Sequence, residues 1–452
     1  MRTPWLSARY QKSPAVTVLP KTIQGRRLYV LINPELGSWV VLGEDEYERY
    51  KADKLTEVEA ETLFMRGLML DAGANAAEFD FPQPAELPSV IIVNITTICN
   101  LKCKYCFADC SPQKGEYMQE DVMRRIIEDM YSMPSKKITF ELQGGEPLCY
   151  KAGMRRFIEI AEELREGKDK IVQYRTVTNG TLIDDEFIGM AKKYNITFGV
   201  SLDGPKDMTD QVRLKADGSG AFDDIIAGIR RAREAGLKID GSVCTLGQHN
   251  CHDGNRIAEF FAKEGIAFKP RPANILGREI QAMTTTKSGE WADVYKTLYR
   301  RSKELGVTNF SIHIYEENVY TPVRDYICLR YPCGAAREIV SINPDGTVYP
   351  CDGFKGEKRF AMGNIMDESI RDMLNKDWVA ELRNRTAASI KKCKTCLYRG
   401  MCCSCCYSAY GAYGTVYRED PQCEDRRKIF NFLIEEWIRR FVIGEDVLPD
   451  EG

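Results

Sequence analysis

The segment Val90-Ile91-Ile92-Val93-Asn94-Ile95 leads, after three residues, into Cys99-Asn100-Leu101-Lys102-Cys103-Lys104-Tyr105-Cys106. The first part is a short apolar run of β-type residues, as expected of a strand buried on both faces. The second is a CxxxCxxC loop at that strand's C-terminal end. The alternation continues downstream, with strand-like runs at Ile138–Leu142, Val172–Val177, Thr197–Leu202, Ile239–Thr245 and Ile266–Lys269 and helical stretches between them. Asp121–Tyr131 carries Val122, Met123, Ile126, Ile127 and Met130 on one stripe; Ala221–Ala235 carries Phe222, Ile225, Ile226, Ile229 and Ala232. Six such units predict a parallel sheet, open or curled into a partial barrel. Ligands of such sheets bind at the C-terminal strand ends, where this cysteine loop sits.

Around that core the 452 residues divide into further units, as a length of two to four typical domains suggests. Residues 1–80 read as a separate small domain. Its β-type runs Ala15–Leu19, Arg27–Ile32 and Ser38–Leu42 are followed by helical patterns at Glu44–Lys51 and Thr56–Arg66, the latter with Val58, Leu63 and Phe64 on one face. Residues 81–88, Phe-Pro-Gln-Pro-Ala-Glu-Leu-Pro, read as a linker, because their three prolines prevent regular pairing. The α/β barrel spans 89–275, a bridging region with the helix-like Ser288–Leu305 spans 276–327, and a cysteine-dense module spans 328–441, closing with the amphipathic Glu424–Phe441.

Charge nearly balances, 63 basic against 66 acidic residues, so no basic tail suggests nucleic-acid binding. The N-terminus lacks the apolar stretch of a signal peptide, and no run approaches the roughly 18 residues of a membrane span. A cytoplasmic location is expected, with no membrane partner. There thiols stay reduced, and clustered cysteines bind metal. Seventeen cysteines stand against three histidines, none of the cysteines lies before Cys99, and ten fall between Cys328 and Cys423. So few histidines argue against a His-based zinc hydrolase. His249, His252 and His313 stand in no metal-ligand spacing and read as surface or core.

Three thiolates on one loop suit three irons of a [4Fe–4S] cube and leave the fourth iron open. A zinc loop completed by Cys110 is the alternative for this motif alone. The CxxxCxxC after the first strand resembles the radical S-adenosylmethionine (SAM) family. In that family the open iron chelates SAM, and an electron from the cluster releases a 5′-deoxyadenosyl radical that abstracts hydrogen. The resemblance places Tyr105, the aromatic residue before the third cysteine, near adenine. Gly144-Gly145-Glu146-Pro147 after the second strand resembles the family's GGEP loop, facing the SAM amino group. Thr178 and Asn179 follow the third strand. Ser201 and Asp203, in Ser201-Leu202-Asp203-Gly204-Pro205 after the fourth, and Arg213 downstream resemble the stretch contacting ribose and carboxylate. Each of these motifs alone is an ordinary turn signal; their order after successive strands gives them weight.

The C-terminal module reads Cys333-x12-Gly346-x4-Cys351, then Cys393-x2-Cys396-x5-Cys402-x3-Cys406, then Cys423. This spacing resembles the SPASM extension of peptide-modifying radical SAM enzymes. The resemblance implies two auxiliary [4Fe–4S] clusters, three in all. Cys393, Cys396, Cys402 and Cys423 would hold the distal one, and Cys333, Cys351 and Cys406 the proximal one. Cys328 is placed to be the fourth proximal ligand; if it stays off, one iron is open to a substrate thiolate. Zinc-ribbon sites are an alternative, as is the use of Cys403 or Cys405 in place of their neighbours. Cys244 reads as a buried small hydrophobe.

The fold class implied is α/β: a partial (βα)6 TIM-like radical SAM barrel, an N-terminal winged-helix-like peptide-recognition domain and a C-terminal Cys-rich SPASM domain. Three strands followed by helices resemble the precursor-recognition domain of ribosomal-peptide maturases, which adds a leader peptide to a sheet edge. The reading is a radical SAM oxidoreductase that installs a thioether in a ribosomally synthesised precursor, with a flavodoxin- or ferredoxin-type electron donor. Alternatives are a formylglycine-forming sulfatase-maturase-like dehydrogenase, a carbon–carbon crosslinking or epimerising maturase, and a non-catalytic iron–sulfur carrier. No residue is singled out as catalytic.

Overall fold

The computed structural model describes residues 9–74, 87–113, 115–321 and 326–445. Most of the proline-rich linker lies outside the described residues. Among the described residues fourteen strands, β1 to β14, follow one another in chain order. In the N-terminal unit β1 (Tyr10–Lys12) pairs with β5 (Met69–Asp71), while β2 (Thr17–Ile23), β3 (Arg26–Asn33) and β4 (Ser38–Gly43) form an antiparallel sheet in the order β2-β3-β4. Helices Glu44–Lys51 and Glu57–Met65 follow β4. The second starts on a capping box in which the Thr56 hydroxyl accepts from Glu59 N and the Glu59 carboxylate accepts from Thr56 N. Leu63 is buried, as its spacing predicts, but Val58 is 73% exposed and points away from the core.

The six expected parallel strands are β6 (Val90–Thr96), β7 (Lys137–Gly144), β8 (Ile171–Thr178), β9 (Thr197–Ser201), β10 (Gly241–Leu246) and β11 (Phe268–Pro272). They lie side by side in sequence order, each parallel to the next. The last begins two residues later than the apolar run suggests, because Ile266 packs as the buried exit of helix Gly254–Glu264 after the left-handed cap at Gly265. The intervening helices cover the sheet with the predicted faces: Met123, Ile126, Ile127 and Met130 are fully buried, as are Ile225 and Ile229.

The sheet does not stop at its first strand. β12 (Ile339–Ile342) pairs parallel to β6, and β13 (Thr347–Tyr349) and β14 (Gly363–Asn364) extend it antiparallel, giving nine strands in the order β11-β10-β9-β8-β7-β6-β12-β13-β14. The cysteine-rich module is therefore built onto the edge of the barrel sheet. Helix Cys423–Ile438 returns across helix Glu290–Leu305 and reaches the N-terminal unit. Trp39 meets Trp437 edge-on at 5.1 Å and donates Nε1–H to the Val319 carbonyl at 2.6 Å, while Lys21 pairs with Glu435 at 2.7 Å.

Candidate functional site

The GGEP turn and the cysteine loop are one packed unit. Gly145 N donates to the Thr96 carbonyl and Glu146 N to the Ile98 carbonyl, both at 2.9 Å. A Cβ on Gly144 would lie 1.9 Å from Thr96 O, and one on Gly145 2.5 Å from Ile98 O. Both glycines are thus required by the approach of β7 to the backbone entering Cys99. The buried Glu146 carboxylate accepts from Leu148 N at 3.0 Å, Thr178 Oγ1 at 2.7 Å and Asn179 N at 2.6 Å. It ties the second loop to the third. Asn179 in turn donates to Asn100 Oδ1 at 2.8 Å and points its amide at Cys99 Sγ, 4.0 Å away.

A second cluster joins the first and fourth loops. Tyr105 donates its hydroxyl to the fully buried Asp203, which also receives Arg213 Nε at 2.9 Å, Arg213 Nη2 at 3.0 Å and Thr245 N at 2.8 Å. The Arg213 guanidinium lies 5.4 Å from the Tyr105 ring centroid, and the His249 ring stacks at 6.0 Å from it. Burial pushes the Tyr105 phenol well above the usual tyrosine range, so it stays a donor. Ser201 ends β9 opposite Val243 and takes no part in this cluster.

Cys99, Cys103 and Cys106 converge. Burial, then the Glu146 carboxylate and, less, the neighbouring thiols raise Cys99, and burial pushes Cys103 up to about 11. Cys110 hydrogen-bonds Cys106 and lowers it, so the alternative fourth ligand stays within reach. The loop is gripped by a residue that no motif marks. Arg278 donates to the Cys103 carbonyl at 2.9 Å, the Cys110 carbonyl at 2.8 Å and Asp109 at 2.8 Å, and its N–H bonds the Cys106 carbonyl at 3.0 Å.

In the C-terminal module, Cys393, Cys396, Cys402 and Cys423 line one cavity with Asp420, Arg426 and Arg427. Four thiols around one space, with no histidine, fit an iron–sulfur cube. Cys333 hydrogen-bonds Cys406, and Cys351 and Cys405 pack with both in one buried cluster. That cluster also holds Phe107, the residue after Cys106, whose ring meets Tyr407, the residue after Cys406, at 6.3 Å. The two cysteine loops therefore face each other. Cys328 is exposed, yet it lies near Cys351, Cys405 and Lys269, at the junction of this cage and the barrel.

Two further groups escaped the motif reading. Lys355 reaches from the C-terminal module into the barrel mouth, 3.0 Å from Asp352, 3.2 Å from Asn94 Oδ1 and 3.4 Å from the Gly144 carbonyl. Arg426 is buried with Asp420 at 2.9 Å and donates to Cys403 Sγ at 3.3 Å. Single charged residues at no fixed offset leave no signal in one sequence.

The family model of the Radical SAM superfamily matches residues 93–254, and that of the SPASM iron–sulfur cluster-binding domain matches 333–397. The chain is a radical SAM protein with a SPASM domain. The resemblance read from its cysteines is thereby borne out, and so is the barrel-plus-SPASM fold. Radical SAM enzymes use SAM and a [4Fe–4S] cluster, and a SPASM domain binds auxiliary clusters; this radical SAM enzyme is an oxidoreductase. Among curated relatives, the cysteine-type anaerobic sulfatase-maturating enzyme of Clostridium novyi (strain NT) is 25% identical over 335 residues, spanning 70% of this chain and 86% of the relative. Among solved structures, anSMEcpe with bound AdoMet shares the fold over 78% of this chain and 99% of its own, at 18% identity and a TM-score of 0.66. Streptococcus suis SuiB bound to the precursor peptide SuiA shares it over 91% of this chain and 98% of its own, at 16% identity and a TM-score of 0.55. Among the described residues of this radical SAM protein, no helix is long and apolar enough to cross a membrane.

Proposed function

We propose that this enzyme modifies a precursor peptide held at its N-terminal unit, and that it forms a thioether between a cysteine sulfur and a carbon. The observation that carries the reading is the free edge of β4. Among the described residues β4 pairs only with β3, and its residues Ser38–Leu42 line a groove of about 390 Å³. Val58 and Met65 of helix Glu57–Met65 stand exposed on that groove, and Trp39, Tyr320 and Trp437 also line it. Unpaired strand amides beside apolar side chains suit an extended peptide added as a fourth strand. SuiB, solved with its precursor peptide, shares the fold over more of this chain than anSMEcpe does, which supports the same reading.

Cys99, Cys103 and Cys106 would hold the SAM-binding cluster, Cys393, Cys396, Cys402 and Cys423 the distal auxiliary cluster, and Cys333, Cys351 and Cys406 with Cys328 the proximal one. Together these groups supply a hydrogen-abstracting radical and an acceptor for the surplus electron. The chain's own residues orient them. Tyr105, Asp203 and Arg213 form one wall of the SAM pocket. Glu146, with Thr178 and Asn179, fixes the loops of Gly144–Pro147 and the third strand, and Lys355 holds the SPASM module against both. Closing the thioether removes two hydrogens from the peptide. A flavodoxin- or ferredoxin-type protein would deliver the starting electron in the cytoplasm.

A second reading, formylglycine formation on a sulfatase, is supported by the curated sulfatase-maturating relatives. One experiment separates them. The anaerobically reconstituted enzyme is reduced with dithionite and given SAM with either the short cysteine-containing peptide encoded beside its gene or a sulfatase-derived peptide. A loss of two mass units from the former, with its thiols no longer alkylatable, is expected. Turnover of the sulfatase peptide alone would reverse the assignment. V58E/M65E should weaken binding of the full precursor at least about tenfold, the scale of losing a buried apolar anchor, while SAM cleavage without peptide persists.

A further inference from the structure

The loop after β10 carries three chemically matched groups outside the cysteine cages. Cys251 is buried, with Sγ 3.5 Å from His252 Nε2 and 3.7 Å from Glu290 Oε2; His252 Nε2 lies 4.0 Å from Glu290 Oε1. One donor atom from each residue falls within 4.8 Å of the other two. Zinc bonds of about 2.3 Å to sulfur and about 2.0 Å to nitrogen or oxygen, at tetrahedral angles, separate ligand atoms by roughly 3.3–3.6 Å. Two of the three observed separations lie close to that range. The third, 4.0 Å from the solvent-exposed His252 to Glu290, exceeds it by about half an ångström.

The carboxylate is set in advance. Glu290 Oε2 accepts from Gln248 Nε2 at 2.6 Å and from Lys287 N at 2.7 Å, so the side chain is held facing Cys251. Supporting hydrogen bonds of this kind orient metal ligands and preserve affinity. A soft thiolate, an imidazole and a carboxylate are a mixed set that suits zinc better than magnesium or calcium. The exposure of His252 leaves the fourth position to water.

We propose that Cys251, His252 and Glu290 bind a thiophilic divalent cation of the zinc type, at a site separate from the iron–sulfur ligands. The cation would join the loop after β10 to the start of helix Glu290–Leu305. Asn250, the preceding residue, donates its amide to the Asp203 and Thr245 carbonyls at 3.0 Å each. The grip therefore bears on the loop that carries the Tyr105–Asp203–Arg213 cluster.

The test uses the full-length, anaerobically reconstituted holoenzyme, incubated with one equivalent of zinc chloride and desalted. Metal content and zinc K-edge X-ray absorption are then read. The expected result is one zinc per chain beyond the iron, with a shell of one sulfur near 2.3 Å and the rest nitrogen or oxygen. His252→Ala, at an exposed position, and Cys251→Ser should each weaken zinc retention by more than the roughly tenfold that a lost supporting partner costs, with iron content unchanged. Absence of retained zinc, a shell of four sulfurs that places zinc in the cysteine cages, or retention unaltered in both variants would overturn the proposal.

Discussion

Arg278 makes four bonds to the backbone and Asp109 of the loop between Cys103 and Cys110, from a position 168 residues downstream of Cys110. Arg278→Ala should free the Cys103 and Cys110 carbonyls and Asp109, which the side chain holds. The expected outcome is loss of the SAM-perturbed EPR signal of the dithionite-reduced protein while the auxiliary signals persist. Arg426 does comparable work in the SPASM module as half of a buried ion pair. Arg426→Met leaves Asp420 charged and unpaired, which should cost about 3–5 kcal/mol in anaerobic denaturation, and Arg426→Lys should restore part of it. Neither arginine was legible beforehand, whereas the cysteines were, because their chemistry demands fixed short spacings. Gly144 and Gly145 were legible as a motif, but the reason for them lies in carbonyls of Thr96 and Ile98 that only folding brings near. The set Cys251, His252 and Glu290 stayed hidden for the same reason: its carboxylate comes from another element.

At the level of elements, the strands and helices of the barrel follow the periodicity closely, since parallel strands covered on both faces must be apolar throughout. The short pair β1 and β5 did not show, because three residues are too few for a pattern and the partners are distant in sequence. Val58 was read with the core face of its helix, yet it is exposed on a groove, and periodicity does not tell a core face from an exposed apolar one. Helix Glu120–Ser132 offers an element-level prediction. Its buried Asp129 accepts from Ile370 N, the start of helix Ile370–Leu374 in the SPASM module, at 3.2 Å. Burial raises its carboxyl above the ordinary value of 3.8. The folded state therefore binds a proton more readily than the unfolded one, and stability falls as pH rises through that raised value. Asp129→Asn keeps an acceptor for Ile370 N. It should be the more stable protein at pH 7, with the gap closing as pH falls toward 4, measured by denaturant midpoint.

The whole molecule is held together by the sheet that runs from barrel to SPASM module, and by contacts of the N-terminal unit with residues near the C-terminal end. Domain boundaries read from composition mark changes in sequence character, but those units share backbone pairing and packing. The pairing of β12 with β6 sets an order of events during synthesis. β6, the strand that leads into Cys99, waits for its outer neighbour until the ribosome has passed Ile342. Until then an apolar strand edge stands open, a template for pairing with other chains. A chain ended at residue 338 should accordingly pellet where the full chain stays in the supernatant. The nascent protein thus has cause to keep this edge, and the cysteine loop that follows it, guarded by a chaperone until the segment through Ile342 has been made.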